Sequence, residues 1–540
     1  MSGETAGVDT WSARIPSWAI PLLFGLLLIP LFLSHNLFEE WDGLMQYFAG
    51  RELMEGGGYR GWSSHFWPPL YSLLIGLGGL VMSGLQAGKL ISCLAGVALL
   101  LVSYRLAMRL SGDRMVALLS QAFLAVNHIY LLLSFQAENH MLDALFFVSA
   151  LLLMLKALDR PTRKEFLAVG LLCGLAGLSR YTSYALVPTA LLVPFLVMDR
   201  RKALPSSGMI LAGFALVSSP WWIYNTLSNG WPLHTWQHLN IGAGVVAPEI
   251  GGSSTWWWSA QADFRGILDI FLAYPGAYLQ NWSSNLIRSI YLIVATTGVL
   301  APFLVPAIFR SLLTLKVRVL LFMYSSFALY LLIVTQAFIF KQVFISWIVF
   351  TTIISLMFYR EFASKISKRF PAVATYRLPA VLLLILGLTS AGMTSMEISS
   401  YLADETDGGN LTYREEVTRT IRGHASDLEE NYVMTFHPAR AYYAGTGYMS
   451  LPSHYTGSLD GLPAYRATSD RIRTFTYAHI YPLPSKENIP MADYLVYDEA
   501  ARSALPQFSF LLDPDSDQIP DSFEALYRTE SLAVFAISGE

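Results

Sequence analysis

The sequence predicts an all-α polytopic membrane bundle followed by a small C-terminal α/β domain. Of its 540 residues, 54% are hydrophobic and only 14% are charged, and the mean hydropathy is +0.44. Globular chains carry about 25% charged residues, so this deficit indicates that lipid surrounds much of the chain. The composition excludes a disordered chain, a coiled coil and a collagen-like chain. The net charge of −3 argues against a nucleic-acid binder, and two cysteines in apolar runs offer neither a disulfide framework nor a thiolate metal site.

Eleven long and nearly charge-free runs are predicted to be transmembrane helices, because about 20 apolar residues span the hydrocarbon core. The first run ends in acidic residues rather than in a small-residue cleavage site, so we expect a retained anchor. The runs lie near 15–36, 86–108, 115–134, 141–158, 165–180, 182–198, 208–225, 286–309, 318–336, 340–359 and 378–396.

A further apolar stretch, 68–85, is predicted to be a juxtamembrane or re-entrant helix. If it crossed the membrane, the Lys- and Arg-rich segments 105–114 and 360–377 would lie outside, against the positive-inside rule. We therefore expect a multi-pass protein of the cell (inner) membrane, with its N-terminus inside and its C-terminus outside. Its long outer loops would be 37–85 and 226–285.

The chain is predicted to divide into a transmembrane domain, 1–396, and an extracytoplasmic soluble domain, 397–540. The second segment carries 22 Asp and Glu against 10 Lys and Arg and has no run long enough to span a membrane. Such a shift in composition is typical of a domain boundary.

Local patterns in the second segment predict one helix and several strands. Thr412 and Glu415 predict a capping box at the start of a helix. Helical spacing then places one apolar face on Val417, Ile421, Ala425 and Leu428. Buried strands are predicted at Tyr432–Phe436, Tyr494–Tyr497 and Leu532–Ile537.

Ionisable side chains near the membrane are costly and are often functional. In this chain they are predicted to gather on the outer side, where they could line one cavity. Each also has a purely structural interpretation, as a helix cap or as a snorkelling anchor. The candidates are Asp42, Glu138, His140, Asp143, Arg180 and Lys341.

Several short motifs occur in a recognisable order. Glu39-Glu40-Trp41-Asp42-Gly43 precedes Trp67-Pro68-Pro69-Leu70-Tyr71 in the first loop. Glu138 and Asp143 follow, and then come the glycine-rich run Gly170–Tyr181 and Pro220-Trp221. This order resembles that of the GT-C membrane glycosyltransferases of the protein O-mannosyltransferase and aminoarabinose-transferase type. The resemblance covers most of residues 15–396, whereas the C-terminal domain is similar only in position and general style.

The resemblance implies a GT-C-like fold and an inverting transfer of a hexosyl or pentosyl group at the cell envelope. The donor would be a polyprenyl-phosphate-linked sugar, and a glycan, lipid or protein on the extracytoplasmic side would be the acceptor. Inverting transfer needs a base for the acceptor hydroxyl and cations for the departing phosphate. The resemblance assigns Asp42 as the general base, and we expect Glu138 and Asp143 to be secondary acids. We expect Arg180 and Lys341 to bind the donor phosphate.

Sugar contacts are predicted for Tyr59, His65, Tyr181 and Trp221. Some relatives use a divalent metal ion and others do not, and Glu138-x-His140 is compatible with both. His140 as a metal ligand would favour a transition metal. Two departures from the family pattern, Glu39-Glu40 before Asp42 and Lys341 in place of Arg, leave open which acid is the base and how the phosphate is held.

The sequence leaves two alternative functions open. A secondary transporter would have internal repeats, matching broken helices and polar groups near the bilayer midplane, and none of these is apparent. A glycan ligase would use the same polyprenyl-linked donor but would transfer a whole glycan.

Overall fold

A computed structural model describes most of the chain in two compact units. Unit 1 comprises residues 1–36, 85–234 and 283–401, and unit 2 comprises 37–84, 235–282 and 402–540. Only the backbone is described at 61–62, 378–379, 403–406, 409–413 and 480–481. The described residues are 14–34, 41–59, 61–248, 262, 264–337, 339–370, 378–406, 409–428, 430–453, 455–464, 480–481 and 490–538. Glu39 and Glu40 of the first-loop motif lie outside them.

The boundary between the units at 401/402 lies five residues from the predicted boundary at 396/397. Two segments that the prediction assigned to the transmembrane domain, 37–84 and 235–282, group instead with the C-terminal segment. These are the two segments that the sequence predicts to be outer loops. A boundary based on composition assigns them to the bundle only because they are flanked by apolar helices.

Mostly apolar helices build unit 1. Some of these helices cross the unit boundary, because their ends are assigned to unit 2. They are Ala19–Ser34, Gly84–Ser111, Arg114–Ala125, His128–Phe135, His140–Asp159, Arg163–Ser179, Leu186–Val197, Arg200–Asn229, Pro275–Thr297, Ala301–Thr314, Val317–Val334, Ile345–Arg369 and Leu378–Thr406, with short 3₁₀ turns at Tyr181–Ala185, Gly298–Leu300 and Lys341–Phe344.

Seven helical segments among the described residues are long and apolar enough to cross a membrane. The count becomes eight if Arg114–Ala125 and His128–Phe135, which meet at an angle of 63°, form one broken span. Ala19–Ser34 and Tyr181–Val197 are apolar but shorter. The predicted total of eleven crossings therefore stays a prediction.

Glycines allow the helices Arg163–Ser179 and Arg200–Asn229 to pack closely. A Cβ atom on Gly170 would collide with the carbonyl oxygen of Ile210, and one on Gly213 would collide with that of Leu167. Small residues at such crossings let helix backbones approach each other in a membrane. This contact explains the glycine-rich run before Arg180, whose position it helps to determine.

Unit 2 contains a six-stranded mixed sheet. Its strands are β1 (Tyr432–Thr435), β2 (Gly447–Ser450), β3 (Ile480–Tyr481), β4 (Tyr494–Asp498), β5 (Phe523–Arg528) and β6 (Leu532–Ile537), in the order β3-β2-β1-β4-β6-β5. Strand β1 pairs in parallel with β2 and β4, and the other pairs are antiparallel. The three predicted strands are confirmed, each to within one residue.

Alternation along these strands gives the sheet two apolar faces. Val433 and Val496 belong to one core cluster, and Met434 and Leu495 belong to another. The remaining helical elements of unit 2 are Trp41–Met54, Gly61–Phe66, Leu70–Gly79, Gln237–Val246, Ile267–Ala273, Gly409–His424, Ala439–Ala444 and Glu499–Ala504, with 3₁₀ turns at Leu459–Gly461 and Pro506–Leu512.

Two predictions about helices of unit 2 have different outcomes. The helix Gly409–His424 begins three residues before Thr412, so the predicted capping box does not form its start. No proline between 409 and 424 prevents this earlier start. Leu70–Gly79 has 10 residues, a length of about 15 Å. This is half of the hydrocarbon thickness, which supports the predicted juxtamembrane or re-entrant helix.

Candidate functional site

Four of the predicted site residues meet in unit 1. Glu138 precedes the helix His140–Asp159, which carries His140 and Asp143 in its first turn. Arg180 directly follows the helix Arg163–Ser179 and has extended backbone angles. The two helix ends place three acidic or imidazole side chains around one guanidinium group.

Asn139 and His140, at the start of the helix His140–Asp159, hold the side chain of Arg180. Its Nη1 donates to Oδ1 of Asn139 at 2.9 Å and lies 3.4 Å from Nδ1 of His140. Asn139 is itself held, because its Nδ2 donates to the carbonyl oxygen of Ser179 at 3.1 Å. Asn139 is not among the residues predicted for the site, although it lies between Glu138 and His140.

The contact with Arg180 determines the tautomer of His140. A guanidinium group has only donors, so Nδ1 of His140 must accept and the proton of the neutral ring resides on Nε2. Nε2 lies 3.2 Å from Oε2 of Glu138 and can donate to it. Glu138, His140 and Arg180 therefore lie in a row, with the imidazole ring between the carboxylate and the guanidinium group.

The carboxyl group of Glu138 is ionised in this chain. Burial alone would raise its pKa, but the hydrogen bond with His140 and the positive charge of Arg180 oppose burial, and the pKa lies below its usual value. The backbone of Glu138 is also held, since its carbonyl oxygen accepts from Oγ of Ser92 at 3.0 Å. The negative charge of Glu138 and the positive charge of Arg180 therefore stabilise each other.

Asp143 lies one helical turn after His140 and is buried. Oγ of Ser183 donates to its Oδ1 at 2.5 Å. Asp143 and Arg180 both interact electrostatically with Tyr330, whose hydroxyl group donates to the carbonyl oxygen of Val343 at 2.7 Å. Tyr330 thus connects the acidic cluster to the 3₁₀ turn Lys341–Phe344.

Lys341 is the exposed first residue of that turn. Its charge acts on His128, together with that of Glu397 on the last helix of unit 1. The structure thus places Lys341 in a second group of charges, with Tyr330 between the two groups.

Tyr181, which follows Arg180 in the chain, forms an aromatic pair with Trp221. Nε1 of Trp221 donates to the hydroxyl oxygen of Tyr181 at 3.1 Å, and the Trp221 ring stacks on Tyr224 with centroids 5.4 Å apart. The predicted sugar contacts of Tyr181 and Trp221 remain predictions.

Asp42, the predicted base, belongs to unit 2. It is half-buried in the first turn of the helix Trp41–Met54, where the helix dipole favours a negative charge. Its neighbour Trp41 packs against Phe436 and His437 at the end of strand β1, with ring centroids 6.2 and 5.5 Å apart. The C-terminal domain therefore fixes the end of the helix that carries Asp42.

Tyr59 and His65, also in unit 2, have structural contacts. The hydroxyl group of the buried Tyr59 lies 3.1 Å from Oγ of Ser72. His65 stacks on Trp236 with centroids 3.7 Å apart, and its carbonyl oxygen accepts from the backbone N–H of Trp236 at 2.7 Å. These contacts join the segments 37–84 and 235–282 within unit 2, and sugar binding by either residue remains a prediction.

The residues around His140 do not fit a metal ion. Its two ring nitrogens face Glu138 and Arg180, and the guanidinium charge would repel a divalent cation beside Nδ1. Among the described residues there is no group of three or more His, Cys, Asp and Glu side chains that could hold a metal. The positive charge beside His140 is therefore that of the Arg180 guanidinium group.

A family model matches the part of the chain that contains this cluster. It describes dolichyl-phosphate-mannose-protein mannosyltransferase and matches residues 67–224. The matched segment includes Glu138, His140, Asp143 and Arg180. No curated protein sequence matches the chain.

Two solved structures share the fold over nearly the whole chain. ArnT from Cupriavidus metallidurans bound to undecaprenyl phosphate has a TM-score of 0.61 and 14% identity, covering 96% of this chain and 98% of ArnT. Archaeal oligosaccharyltransferase AglB from Archaeoglobus fulgidus, with an inhibitory peptide and a dolichol-phosphate, has a TM-score of 0.53 and 13% identity, covering 98% of this chain and 75% of AglB. At these identities the likeness establishes the fold.

The family-model match and the shared fold together confirm the predicted resemblance to the GT-C glycosyltransferases.

Proposed function

We propose that this chain transfers a sugar from a polyprenyl-phosphate donor to an acceptor hydroxyl group, with inversion at the anomeric carbon. Support comes from the GT-C fold and from the lipid phosphates bound to ArnT and AglB. The observation that carries the proposal is the fixed guanidinium group of Arg180, which is held by Asn139 and His140.

Arg180 is proposed to stabilise the phosphate that leaves. Among the described residues only its Nη1 makes hydrogen bonds, so Nε and Nη2 can donate to two oxygens of a phosphate group. Negative charge on the phosphate grows as the bond to the sugar breaks, and a donor fixed in advance stabilises that charge without reorganisation. Lys341 is proposed to supply a second, more mobile positive charge to the donor.

Asp42 is proposed to be the general base that takes the proton of the acceptor hydroxyl group. The motif around Asp42 and its place in the first turn of a helix support this role. Glu138 and Asp143 are proposed to be secondary acids, of which Glu138 orients Arg180 through His140. The reaction is proposed to take place on the extracytoplasmic face of the inner membrane, because the Lys- and Arg-rich segments favour that topology.

The test uses full-length protein in lipid nanodiscs with a panel of polyprenyl-phosphate sugars, and it measures release of the free lipid phosphate. Arg180→Lys keeps the charge but loses the fork, so we expect transfer to fall about 10- to 100-fold, which corresponds to about 1.5–3 kcal/mol for a hydrogen bond to a charged group. Arg109→Lys is the matched control, since Arg109 pairs with Asp159 elsewhere in unit 1. Equal rates for Arg180→Lys and Arg109→Lys would exclude Arg180 from the phosphate site.

A second candidate is transfer of a whole glycan from the same donor class. The oligosaccharyltransferase of Archaeoglobus fulgidus in complex with Zn and sulfate supports it, with a TM-score of 0.54 and 15% identity over 97% of this chain and 73% of that chain. Donors that carry one sugar and donors that carry an oligosaccharide separate the two candidates, because only the productive donor releases lipid phosphate at a rate that depends on Arg180.

A further inference from the structure

Gln46 is a fully buried amide that uses neither of its polar atoms. It lies inside the helix Trp41–Met54 of unit 2, and none of its surface is exposed. Neither Nε2 nor Oε1 makes a hydrogen bond with any residue that the structure describes. Of the buried amide side chains in the described part of the chain, Gln46 alone leaves both atoms without a partner. An unpaired buried donor or acceptor is costly, so these two atoms need an explanation.

A structural role does not explain this amide. Gln121 of unit 1 is also fully buried, but its Nε2 donates to the carbonyl oxygen of Ser17 at 3.0 Å and to that of Leu100 at 3.1 Å. Such an amide connects distant segments of the chain. Gln46 connects nothing among the described residues, and an apolar side chain would fill its place without the cost of burying polar atoms.

Close packing between two helices buries the side of the helix that carries Gln46. Residues 42, 46 and 50 are each one turn apart and therefore lie on one side of that helix. A Cβ atom on Gly50 would collide with the carbonyl oxygen of Ser72, and one on Gly76 would collide with the carbonyl oxygen of Gly50. The helix Leu70–Gly79 thus contacts this side one turn after Gln46, so Gln46 is open only toward the preceding turn.

The preceding turn begins with Asp42. Cα–Cβ bonds in a helix tilt toward its N-terminus, so the side chain of Gln46 extends over the turn that carries Asp42. Side chains four residues apart on a helix have Cβ atoms about 5–6 Å apart. Asp42 is half-buried whereas Gln46 is fully buried. A group that reaches the carboxylate of Asp42 from the surface therefore comes within range of the amide below it.

A carboxylate and an amide together match an alcohol. A carboxylate only accepts hydrogen bonds, whereas Nε2 of the amide donates them. An alcohol oxygen has one proton and two lone pairs, so it can donate to Asp42 and accept from Gln46 with one lone pair left for attack. The nitrogen of an amine or a carboxamide has a single lone pair, which attack consumes, and it would leave Nε2 of Gln46 unpaired. The pair of residues thus favours oxygen acceptors over nitrogen acceptors.

We propose that Gln46 binds the acceptor hydroxyl group together with Asp42 and selects alcohols as acceptors. This inference rests on the proposed function, in which Asp42 is the general base. The proton of the hydroxyl group moves to Asp42, and the free lone pair of its oxygen forms the bond to the anomeric carbon. The bond from that carbon to the phosphate oxygen breaks, and its electron pair leaves with the lipid phosphate. Two fixed hydrogen bonds aim the remaining lone pair, which is the benefit of orientation.

The first measurement compares acceptors in lipid nanodiscs that contain the full-length protein and the polyprenyl-phosphate sugar that it uses fastest. The alcohols are glycerol, methyl glucoside and a serine peptide, and the nitrogen acceptor is an asparagine peptide. The kcat/KM of the wild type for the asparagine peptide should be about 10-fold lower than for the best alcohol, because the amide of Gln46 would stay unpaired. Equal values for the two acceptors would overturn the proposal.

The variant Gln46→Met removes the amide and nearly keeps its shape. It should lower kcat/KM for the best alcohol about 3- to 10-fold, as for one lost hydrogen bond, and leave KM for the donor unchanged. Gln507→Met is the control in unit 2, since Gln507 is exposed and donates to the carbonyl oxygen of Tyr455 at 2.7 Å. Equal kcat/KM for the alcohol in the two variants would overturn the proposal while the proposed function stands. If the wild type transfers sugar to none of these acceptors, the proposed function fails and this inference fails with it.

Thermal unfolding separates acceptor binding from a structural role. Gln46→Met loses no hydrogen bond within the described protein, so its Tm should equal or exceed that of the wild type. Gln121→Met loses two hydrogen bonds and should have a lower Tm. If the Tm of Gln46→Met falls as far as that of Gln121→Met, the amide supports the fold and the proposal is wrong.

Discussion

Nη1 of Arg180 lies 3.4 Å from Nδ1 of His140, and this contact fixes the proton of the neutral imidazole ring on Nε2. Nε2 of the same ring lies 3.2 Å from Oε2 of Glu138, whose pKa is lowered. A second proton on His140 would point a donor at a donor and would separate the ring from Arg180. His140 is thus suited to hold Arg180 and Glu138 in one arrangement.

Replacing His140 should therefore change donor binding and stability through its effects on Arg180 and Glu138. In His140→Ala, Arg180 loses one of its two hydrogen-bonded supports, and we expect affinity for a polyprenyl phosphate to fall about 10-fold, as for one lost hydrogen bond to a charged group. Binding to nanodisc-embedded protein measures this change, with His234→Ala as the control. Wild-type affinity in His140→Ala would mean that Asn139 alone holds Arg180.

The lowered pKa of Glu138 gives a pH dependence with a definite sign. Because the folded pKa is lower than the unfolded value of about 4.3, ionisation of Glu138 stabilises the fold above that pH. This contribution is lost as pH falls through the folded pKa. In His140→Ala the folded pKa should rise, so the acid loss of thermal stability should begin at a higher pH than in the wild type. Superimposable profiles of Tm between pH 3 and 6 would contradict this coupling.

Asp42→Asn should abolish transfer while the fold persists, because the amide keeps the shape but cannot take a proton. General base catalysis contributes about 10²- to 10⁴-fold, so the rate of lipid phosphate release should fall by at least 100-fold. Asp269→Asn is the matched control, since Asp269 is also in the first turn of a helix of unit 2 and accepts from the backbone N–H of Arg265 at 2.9 Å. A residual rate above one tenth in Asp42→Asn would assign the base to another acid.

Lys341→Ala should raise KM for the polyprenyl-phosphate donor several-fold with little effect on kcat. Lys341 is exposed, and its ammonium group is a point charge on a flexible stem, so we expect it to attract the donor phosphate without fixing its geometry. Lys341→Arg should retain most of the affinity. Lys316→Ala, which changes a lysine before the helix Val317–Val334, is the control. If KM is the same in Lys341→Ala and Lys316→Ala, Lys341 has no role in donor binding.

Gly170→Ala should destabilise unit 1, because its Cβ atom would meet the backbone of Ile210 and not a flexible side chain. Overpacking of this kind typically costs about 1–3 kcal/mol. Gly208→Ala, on the partner helix, is the control, since a Cβ atom there meets nothing within 4 Å. Thermal unfolding in detergent should show a lower Tm only for Gly170→Ala. The same Tm in both variants would mean that the two helices can separate without loss.

The sequence predicts the helices and strands better than it predicts how they group into the two units. Apolar runs and alternation locate helices such as His140–Asp159 and strands such as Leu532–Ile537, because burial of a periodic face is a local property. The cluster around Arg180 was predicted in part, since Glu138, His140, Asp143 and Arg180 were all expected among the ionisable side chains on the outer side. Asn139 was missed because its role depends on the carbonyl oxygen of Ser179, which lies 40 residues away and carries no side-chain signal.

The grouping of the first loop with the C-terminal domain could not be predicted, because it depends on contacts between distant segments. Met45 and Phe48 belong to the same core cluster as Val417 and Val433. The sequence assigns them to an outer loop of the transmembrane domain because apolar helices flank that loop, and nothing local to Met45 or Phe48 indicates the sheet they pack against. The predicted capping box at the start of the helix Gly409–His424 was wrong for a related reason. Several local signals can start the same helix, and Thr412 is only one of them.

The shared core of unit 2 predicts the effect of removing the C-terminal domain. A chain that ends at Tyr401 should still insert into the membrane, because transmembrane helices satisfy their own backbone hydrogen bonds. It should lose transfer completely, since Trp41 would lose its ring contacts with Phe436 and His437, and Met45 and Phe48 would be exposed to water.

Trp41→Ala in the full chain should reproduce part of this loss as a lower kcat with unchanged affinity for the donor. Trp231→Ala, at an exposed position, should behave as wild type. Membrane fractionation and lipid phosphate release measure the two properties, and transfer by the shortened chain would show that the helix carrying Asp42 does not need the sheet.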